Sequence, residues 1–280
     1  MTRRSQAPDQ ADPVSRLIPD PFTSGAWIVR VNGTDQSFID PADPTRLEFD
    51  YVQRIADHLD AQAPPGQRLG VVHIGGAGMT LARYVAATRP TSPQIVLEPD
   101  VDLTAQVRAT VPLPRNSGIK VRPVDGRTGL VAMPDHYADV VIIDAYEGSS
   151  VPGELVTIEC FQQVRRVLRG DGLVVANLTD SGRLSWTRSV LATLGEVFLH
   201  TTVSAEPATL KGRRFGNLVA GGSQVDLPLD ELTRSAARSA FPYRVLAGTE
   251  MARFIGHART FTDQAPQGSP PPAQTLTWYG

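Results

Sequence analysis

VVHIGGAG, residues 71–78, decides how the rest of the chain is read. An apolar stretch, 69–74, runs straight into three glycines within four positions, Gly75, Gly76 and Gly78, and a helical pattern over 79–87 follows at once. Glycine permits positive φ and close approach of a ligand to the backbone, while the first turn of a helix presents N–H groups without intrahelical partners. A nucleotide pocket is one reading of this order, and a close-packed turn is the other. The complete G-x-G-x-x-G spacing is missing, which argues against a pyrophosphate-bearing dinucleotide.

Outward from this turn, strand and helix alternate. Strands are expected at 94–98, 120–124, 138–143 and 172–178, and helices at 101–110 and 157–168, the latter stopped by Gly170. The segment 138–143 is apolar on both faces, as a strand in the middle of a covered parallel sheet must be. Covering both faces requires helices on each side, so a doubly wound α/β sheet follows, with its crevice at the carboxyl ends of the strands. Helices are also expected at 183–194 and 228–239. Strands at 197–203 and 215–221 are expected to pair antiparallel and close one sheet edge.

Upstream, WIVRVNGTDQSFI at 27–39 reads as a hairpin turning on Asn32-Gly33. Thr45-Arg46-Leu47-Glu48 has capping-box spacing, and Leu47, Tyr51, Ile55 and Leu59 form one apolar stripe, predicting a helix from about 46 to 60. The expected organisation is a flexible arm at 1–20, a small β region with a linking helix at 21–63, a nucleoside-binding α/β body at 64–263, and a Pro-rich tail at 264–280. No internal repeat is visible.

Composition bounds the function. Apolar residues make up 41% and charged residues 20% of 280, so the chain can bury a full core. A net charge of -2 offers no general attraction to nucleic acid. Cys160 is the single cysteine, which excludes an intrachain disulfide and a cysteine-rich metal site. His58, His73, His136, His200 and His257 lack metal-ligand spacing, and His73, inside an apolar strand, reads as a core histidine. Arg3 and Arg4 precede a polar QAPDQADP stretch and no long apolar run follows, so the expectation is a cytoplasmic protein without a membrane segment.

Three acids fall at strand ends. Glu98 is placed to accept both ribose hydroxyl hydrogens, or else is a solvated strand end. Asp125, followed by Gly126, is placed to accept an adenine amino hydrogen, or else forms a simple Asp-Gly turn. Asp144 ends the fourth strand. A carboxylate at each strand end suits a ligand bearing hydroxyls and positive charge better than a phosphate chain.

GVVHIGGAGMTLARYV, IVLEPD, VRPVDGRTGL and ADVVIIDAYEGSSVPGELVTIECFQQVRRVLRGDGLVVANL together resemble the polyamine aminopropyltransferase family, spermidine synthase and its relatives. The resemblance covers roughly 27–222. It implies a Rossmann-like class I methyltransferase fold with a mostly parallel seven-stranded sheet, a small N-terminal β region and a homodimer. It also implies a nucleoside co-substrate, decarboxylated S-adenosylmethionine or S-adenosylmethionine, with no prosthetic group or metal, and an amine acceptor. Under it, Gly75, Gly76, Gly78, Glu98, Asp125 and Gly126 hold the donor. Asp144 orients the amine and accepts its proton, Tyr51 holds the amine from the opposite side, and Gln36 and Glu147 contact substrate.

Departures matter as much. Asp144-Ala145-Tyr146-Glu147 replaces the family's Asp-x-x-Asp with a longer second acid. Gly78 stands where the family has an aspartate that contacts the aminopropyl amine and disfavours a carboxylate, so ordinary S-adenosylmethionine is more easily admitted. Val52 and Gln53 replace the histidine and glutamate of a Glu-Phe-x-Tyr-His-Glu segment. Methyl transfer, and a catalytically inactive binding protein, are therefore the alternatives to aminopropyl transfer.

Overall fold

The structure, a computed structural model, describes residues 16–31, 33–76 and 78–272. Most of the expected arm (1–15), Asn32 of the hairpin turn, Ala77 of the glycine turn and the end of the tail (273–280) lie outside the described residues.

Strands β1 (Leu17–Pro19), β2 (Trp27–Val31) and β3 (Thr34–Ile39) form a small antiparallel sheet in the order β1-β2-β3. The arm expected at 1–20 takes in 17–19, and the hairpin of β2 and β3, marginal alone, is expected to lie against something larger or a second subunit. Instead Leu17 is buried opposite Val29, and Arg16 reaches across to pair with Asp100. A third strand gives the hairpin the partner it needs, since two strands alone are marginal in water.

Helix α1 (Asp50–Gln62) starts later than the capping box predicted. Asp43 Oδ1 accepts both the Thr45 N–H and its hydroxyl, while Glu48 pairs with Arg46, so neither half of the box reaches the helix. The stripe itself is where it was expected, with Ile55 and Leu59 fully buried.

The main sheet joins β4 (Val71–Ile74), β5 (Gln94–Leu97), β6 (Ile119–Arg122), β7 (Ala138–Ile143), β8 (Leu168–Asp180), β9 (His200–Ala205), β10 (Gly216–Ser223) and β11 (Arg244–Ala247) in the order β11-β9-β10-β8-β7-β4-β5-β6. Neighbours from β6 to β8 run parallel; β10 is antiparallel to β8 and β9, and β11 to β9. Seven of these strands were expected. The eighth, β11, moves the sheet edge beyond β9, and its four residues are too few to show a period in sequence.

Helices α2 (Thr80–Thr88) and α3 (Val101–Thr110) lie with α1 on one face, and α4 (Gly126–Val131), α5 (Ile158–Val167), α6 (Ser185–Gly195) and the later α9 (Gly248–Ile255) on the other. Strand β7 shows why. Val141 and Ile143 enter the cluster under α5 and α6, whereas Val140 and Ile142 enter the one under α1. Each fully buried Val or Ile contributes about 1.5–3 kcal/mol of apolar transfer. Helix α5 ends at Val167 with Leu168 already extended, so the chain passes directly into β8 and Gly170 lies inside that strand, not at a helix stop. A short α7 (Pro207–Leu210) and α8 (Leu229–Arg238), the latter packed against α1, complete the element order.

The tail from 264 to 272 is laid against the body. Val151 and Ser269 exchange two hydrogen bonds, the Val151 N–H donating to the side-chain Ser269 Oγ (2.8 Å) and the Ser269 N–H to the Val151 carbonyl (3.1 Å). Trp186 Nε1 donates to the Gln267 carbonyl at 2.8 Å.

Candidate active site

A cavity of about 430 Å³ opens at the carboxyl ends of β4, β5 and β7, a size suited to a nucleoside. Gly75, Gly76, Glu98, Asp125 and Gly126 lie on its wall, as do Gln36, Tyr51, Asp144 and Glu147. Gly78, the remaining candidate, does not. Its N–H donates to Ser37 Oγ at 3.2 Å, and a Cβ there would stand 2.8 Å from the Ser37 Cβ. Gly78 is thus used for close approach of β3.

The glycine turn is stitched to both neighbouring strands. Gly75 has φ +80°, its N–H donates to the Leu97 carbonyl (2.9 Å), and an added Cβ would strike the Asp144 carbonyl. The Asp144 N–H in turn donates to Ile74 (2.9 Å). Glycine at 75 therefore sets the spacing between the turn and the acid. Met79, buried at the helix entrance, also takes a left-handed φ of 58°, which costs a side-chain-bearing residue about 1–2 kcal/mol.

Glu98 and Asp125 carry structural duties as well as facing the cavity. Glu98 accepts the Gly76 N–H at 3.2 Å and the Asp100 N–H at 2.9 Å, tying the glycine turn to the end of β5. Asp125 caps α4 by accepting the Thr128 N–H (2.9 Å), and Thr128 holds its carboxyl below the ordinary range. The turn reading of Asp125 is thus met by its cap on α4, and its place on the cavity wall keeps it within reach of a ligand there.

Asp144 is the perturbed acid. Burial pushes its carboxyl up to about 6, against the pull of the Asn177 side chain, whose Nδ2 donates to Asp144 Oδ1 at 2.8 Å. Asn177 is in turn oriented by Asn217 Nδ2, which donates to its Oδ1 at 3.0 Å. The Asn217 carbonyl accepts from the buried Arg54 guanidinium (2.9 Å). A carboxylate near 6 in a cleft is matched to accepting a proton at neutral pH. Tyr51, in the first turn of α1, is driven well above its ordinary value by burial, then by the charge of Asp144 and by Tyr146 and Asp50, so it stays a neutral donor.

Gln36 reaches the wall through a bulge. Val29 pairs with Ser37 and Arg30 with Asp35, leaving Gln36 without a partner across the strand pair. A bulge re-aims a side chain, and here Gln36 and Ser37 both face the cavity. Glu147 is exposed on a small loop closed by reciprocal bonds with Ser150 (2.9 and 3.2 Å). His73 is the core histidine expected: its Nε2 donates to Gln94 Oε1 at 2.9 Å, and burial lowers it to about 4.

Sequence reasoning missed Asn177, Asn217, Tyr146 and the tail. Asn177 had a signal, as a buried amide interrupting the apolar run of β8. Asn217 had none until β10 paired with β8. Among the described residues no His, Cys, Asp and Glu cluster has the makings of a metal site, and no helix is long and apolar enough to cross a membrane.

No family profile matches the chain. A probable polyamine aminopropyl transferase from Bifidobacterium longum is 32% identical over 110 residues, 38% of this chain and 24% of that protein, so the match spans about a quarter of this curated relative's length. Among solved structures, a probable spermidine synthase from Corynebacterium glutamicum is 30% identical with a TM-score of 0.82, the alignment covering 94% of this chain and 95% of that one. Human Methyltransferase-like protein 13 in complex with SAH has a TM-score of 0.55 at 20% identity, covering 77% of this chain and 96% of that one, a likeness of fold alone. With the strand order, the glycine turn and the acid beside it in one cavity, and near-complete alignment to the Corynebacterium protein, the chain belongs to the spermidine synthase-like family of class I methyltransferase fold.

Proposed function

We propose that the cavity binds decarboxylated S-adenosylmethionine and that the chain transfers its aminopropyl group to a diamine or related amine. The carrying observation is Asp144, held by Asn177, buried to an acidity near 6 and stitched against the glycine turn. In this reading the adenosine lies along the turn, its ribose hydroxyls donate to Glu98 and its adenine amino group to Asp125. Acid-rich walls favour a cationic sulfonium over a phosphate chain.

The amine nitrogen's lone pair attacks the carbon next to sulfur. An N–C bond forms, the C–S bond breaks with its electron pair going to sulfur, and neutral methylthioadenosine leaves. The proton displaced from nitrogen goes to Asp144, which is ionised at neutral pH and close enough in acidity to accept it. Tyr51, still protonated, offers a hydrogen bond from across the cavity, and Gln36 and Glu147 face the incoming amine. The same reading carries a cytoplasmic homodimer in which 21–63 is a small β region set on the nucleoside-binding body at 64–263; light scattering tests the dimer.

Methyl transfer from S-adenosylmethionine is the second reading, favoured by Gly78. An acid at that position would collide with Ser37 and Ile39, so this loop has no carboxylate there to repel a carboxylated donor. Incubating the protein with each donor and a panel of amines separates the readings. Methylthioadenosine release from the decarboxylated donor supports aminopropyl transfer, S-adenosylhomocysteine from the carboxylated one supports methyl transfer, and tight binding with neither product marks an inactive binding protein.

A further inference from the structure

Behind Asp144 lies a band of hydrogen-bonded polar side chains that runs on past the two residues orienting it. Asn177 and Thr179 on β8 are buried, Asn217 stands opposite Thr179 on β10, and Ser204 lies on β9. None of these four reaches the cavity wall, whereas Tyr146 does. The ring of Tyr146 packs against the core on the α5 and α6 side of the sheet. Its hydroxyl is shut off from solvent and lies among Thr179, Asn217 and Asn177, within reach of all three but without a well-aligned hydrogen bond to any one of them. Taking a tyrosine hydroxyl out of water costs free energy unless its hydrogen bonds are good, so a side chain held this way beside a cavity needs a reason.

We propose that Tyr146 is a stopper that seals the polar band from the cavity and thereby sets acceptor specificity: an amine held at Asp144 cannot extend inward to Asn177, Thr179 and Asn217, and its chain must leave over the exposed Glu147. This rests on the amine-transfer reading and names its substrate class. An inward channel would impose a fixed distance between two polar ends of the acceptor, because buried hydrogen-bond partners discriminate strongly against ligands that cannot satisfy them. An outward path ending at a solvated carboxylate imposes no such length. The acceptor class is therefore primary amines of variable length, including ones carried on larger molecules.

Titrating the series from diaminoethane to diaminohexane calorimetrically into protein saturated with methylthioadenosine reads length selectivity without requiring turnover. The wild-type chain is expected to bind all members within about threefold, and Tyr146→Ser to favour one length by about tenfold or more. Tyr146→Phe keeps the ring and is expected to keep the flat ranking. Tyr146→Leu, shorter but still apolar against the core, is expected to move with Tyr146→Ser and serves where the serine variant does not fold. Unchanged methylthioadenosine affinity shows the donor side intact in each. A sharp length preference already present in the wild type, or a flat ranking retained in Tyr146→Ser, overturns the assignment. Failure of the wild type to bind any amine sinks the amine-transfer reading instead; the stopper then survives only if Tyr146→Ser gains amine binding, and is overturned if it does not.

Discussion

The two halves of the sheet meet at Asp144 and are built on different logic. On the parallel side, β4, β5 and β7 each end in a short turn whose backbone and acids face the cavity, and each carries its cavity-facing group within a few residues of the strand end. On the antiparallel side, Asn177 lies inside β8 and Asn217 near the start of β10, off the cavity wall, and they reach it through Asp144 and Tyr146. Under the proposed function, the parallel half would supply contacts to the donor, and the antiparallel half would orient the reacting acid and limit what approaches it. A loss on one side should disturb binding, and on the other turnover and acidity.

Asp144→Asn is the sharpest way to separate them. Loss of the proton acceptor is expected to lower kcat by about 10²–10⁴-fold, while methylthioadenosine affinity, measured by calorimetry, stays within a few-fold. The same variant should be more stable near neutral pH. The folded acid titrates near 6, above the ordinary carboxylate value of 3.8, so its protonated form favours the fold below about 4 and that contribution is lost as pH rises through 6. The Tm difference between variant and wild type should therefore grow from pH 4 to 7 and then level.

Glu98→Gln tests the donor side. It removes the carboxylate that holds the Gly76 N–H, and a hydrogen bond to a charged group is worth about 1.5–3 kcal/mol, so methylthioadenosine affinity should fall by roughly 10- to 150-fold. If kcat falls instead at unchanged affinity, the division between the halves is wrong.

Asn177→Leu probes the relay at smaller amplitude. The amide favours the carboxylate form of Asp144, so its loss should make the group a weaker acid, with a pKa above about 6, and move the acid limb of the kcat profile to higher pH. Tyr51 and Tyr146, neutral across this range, share the cavity wall with Glu98, Asp125, Arg127, Glu147 and Glu154, while Asp50 and Arg54 lie behind it. An unshifted limb would show that Asn177 does not tune the base.

Ser269→Ala should have the smallest effect. It removes the acceptor of the Val151 N–H, at the root of the loop that carries Glu147, and is expected to raise the amine KM a few-fold with kcat and donor affinity unchanged.

The same contrast explains what could be read without coordinates. The parallel half writes itself locally: an apolar run, then glycines or an acid, then a helical period, so Gly75, Glu98, Asp125 and Asp144 were visible in sequence. The antiparallel half depends on pairing. Asn217 becomes meaningful only once β10 lies beside β8 in register with Thr179, and the tail matters only because Ser269 reaches Val151, more than a hundred positions away. Gly78 was only half legible for a related reason. Three glycines read as one ligand loop, but its neighbour across space is Ser37, which no local pattern names.

A crystal structure with methylthioadenosine bound tests the central claim most directly. The account predicts adenosine along Gly75 and Gly76, ribose hydroxyls on Glu98, and the sulfur facing Asp144 with Asn177 still donating to it. Adenosine seated elsewhere, or Asp144 swung away from the sulfur, would contradict it.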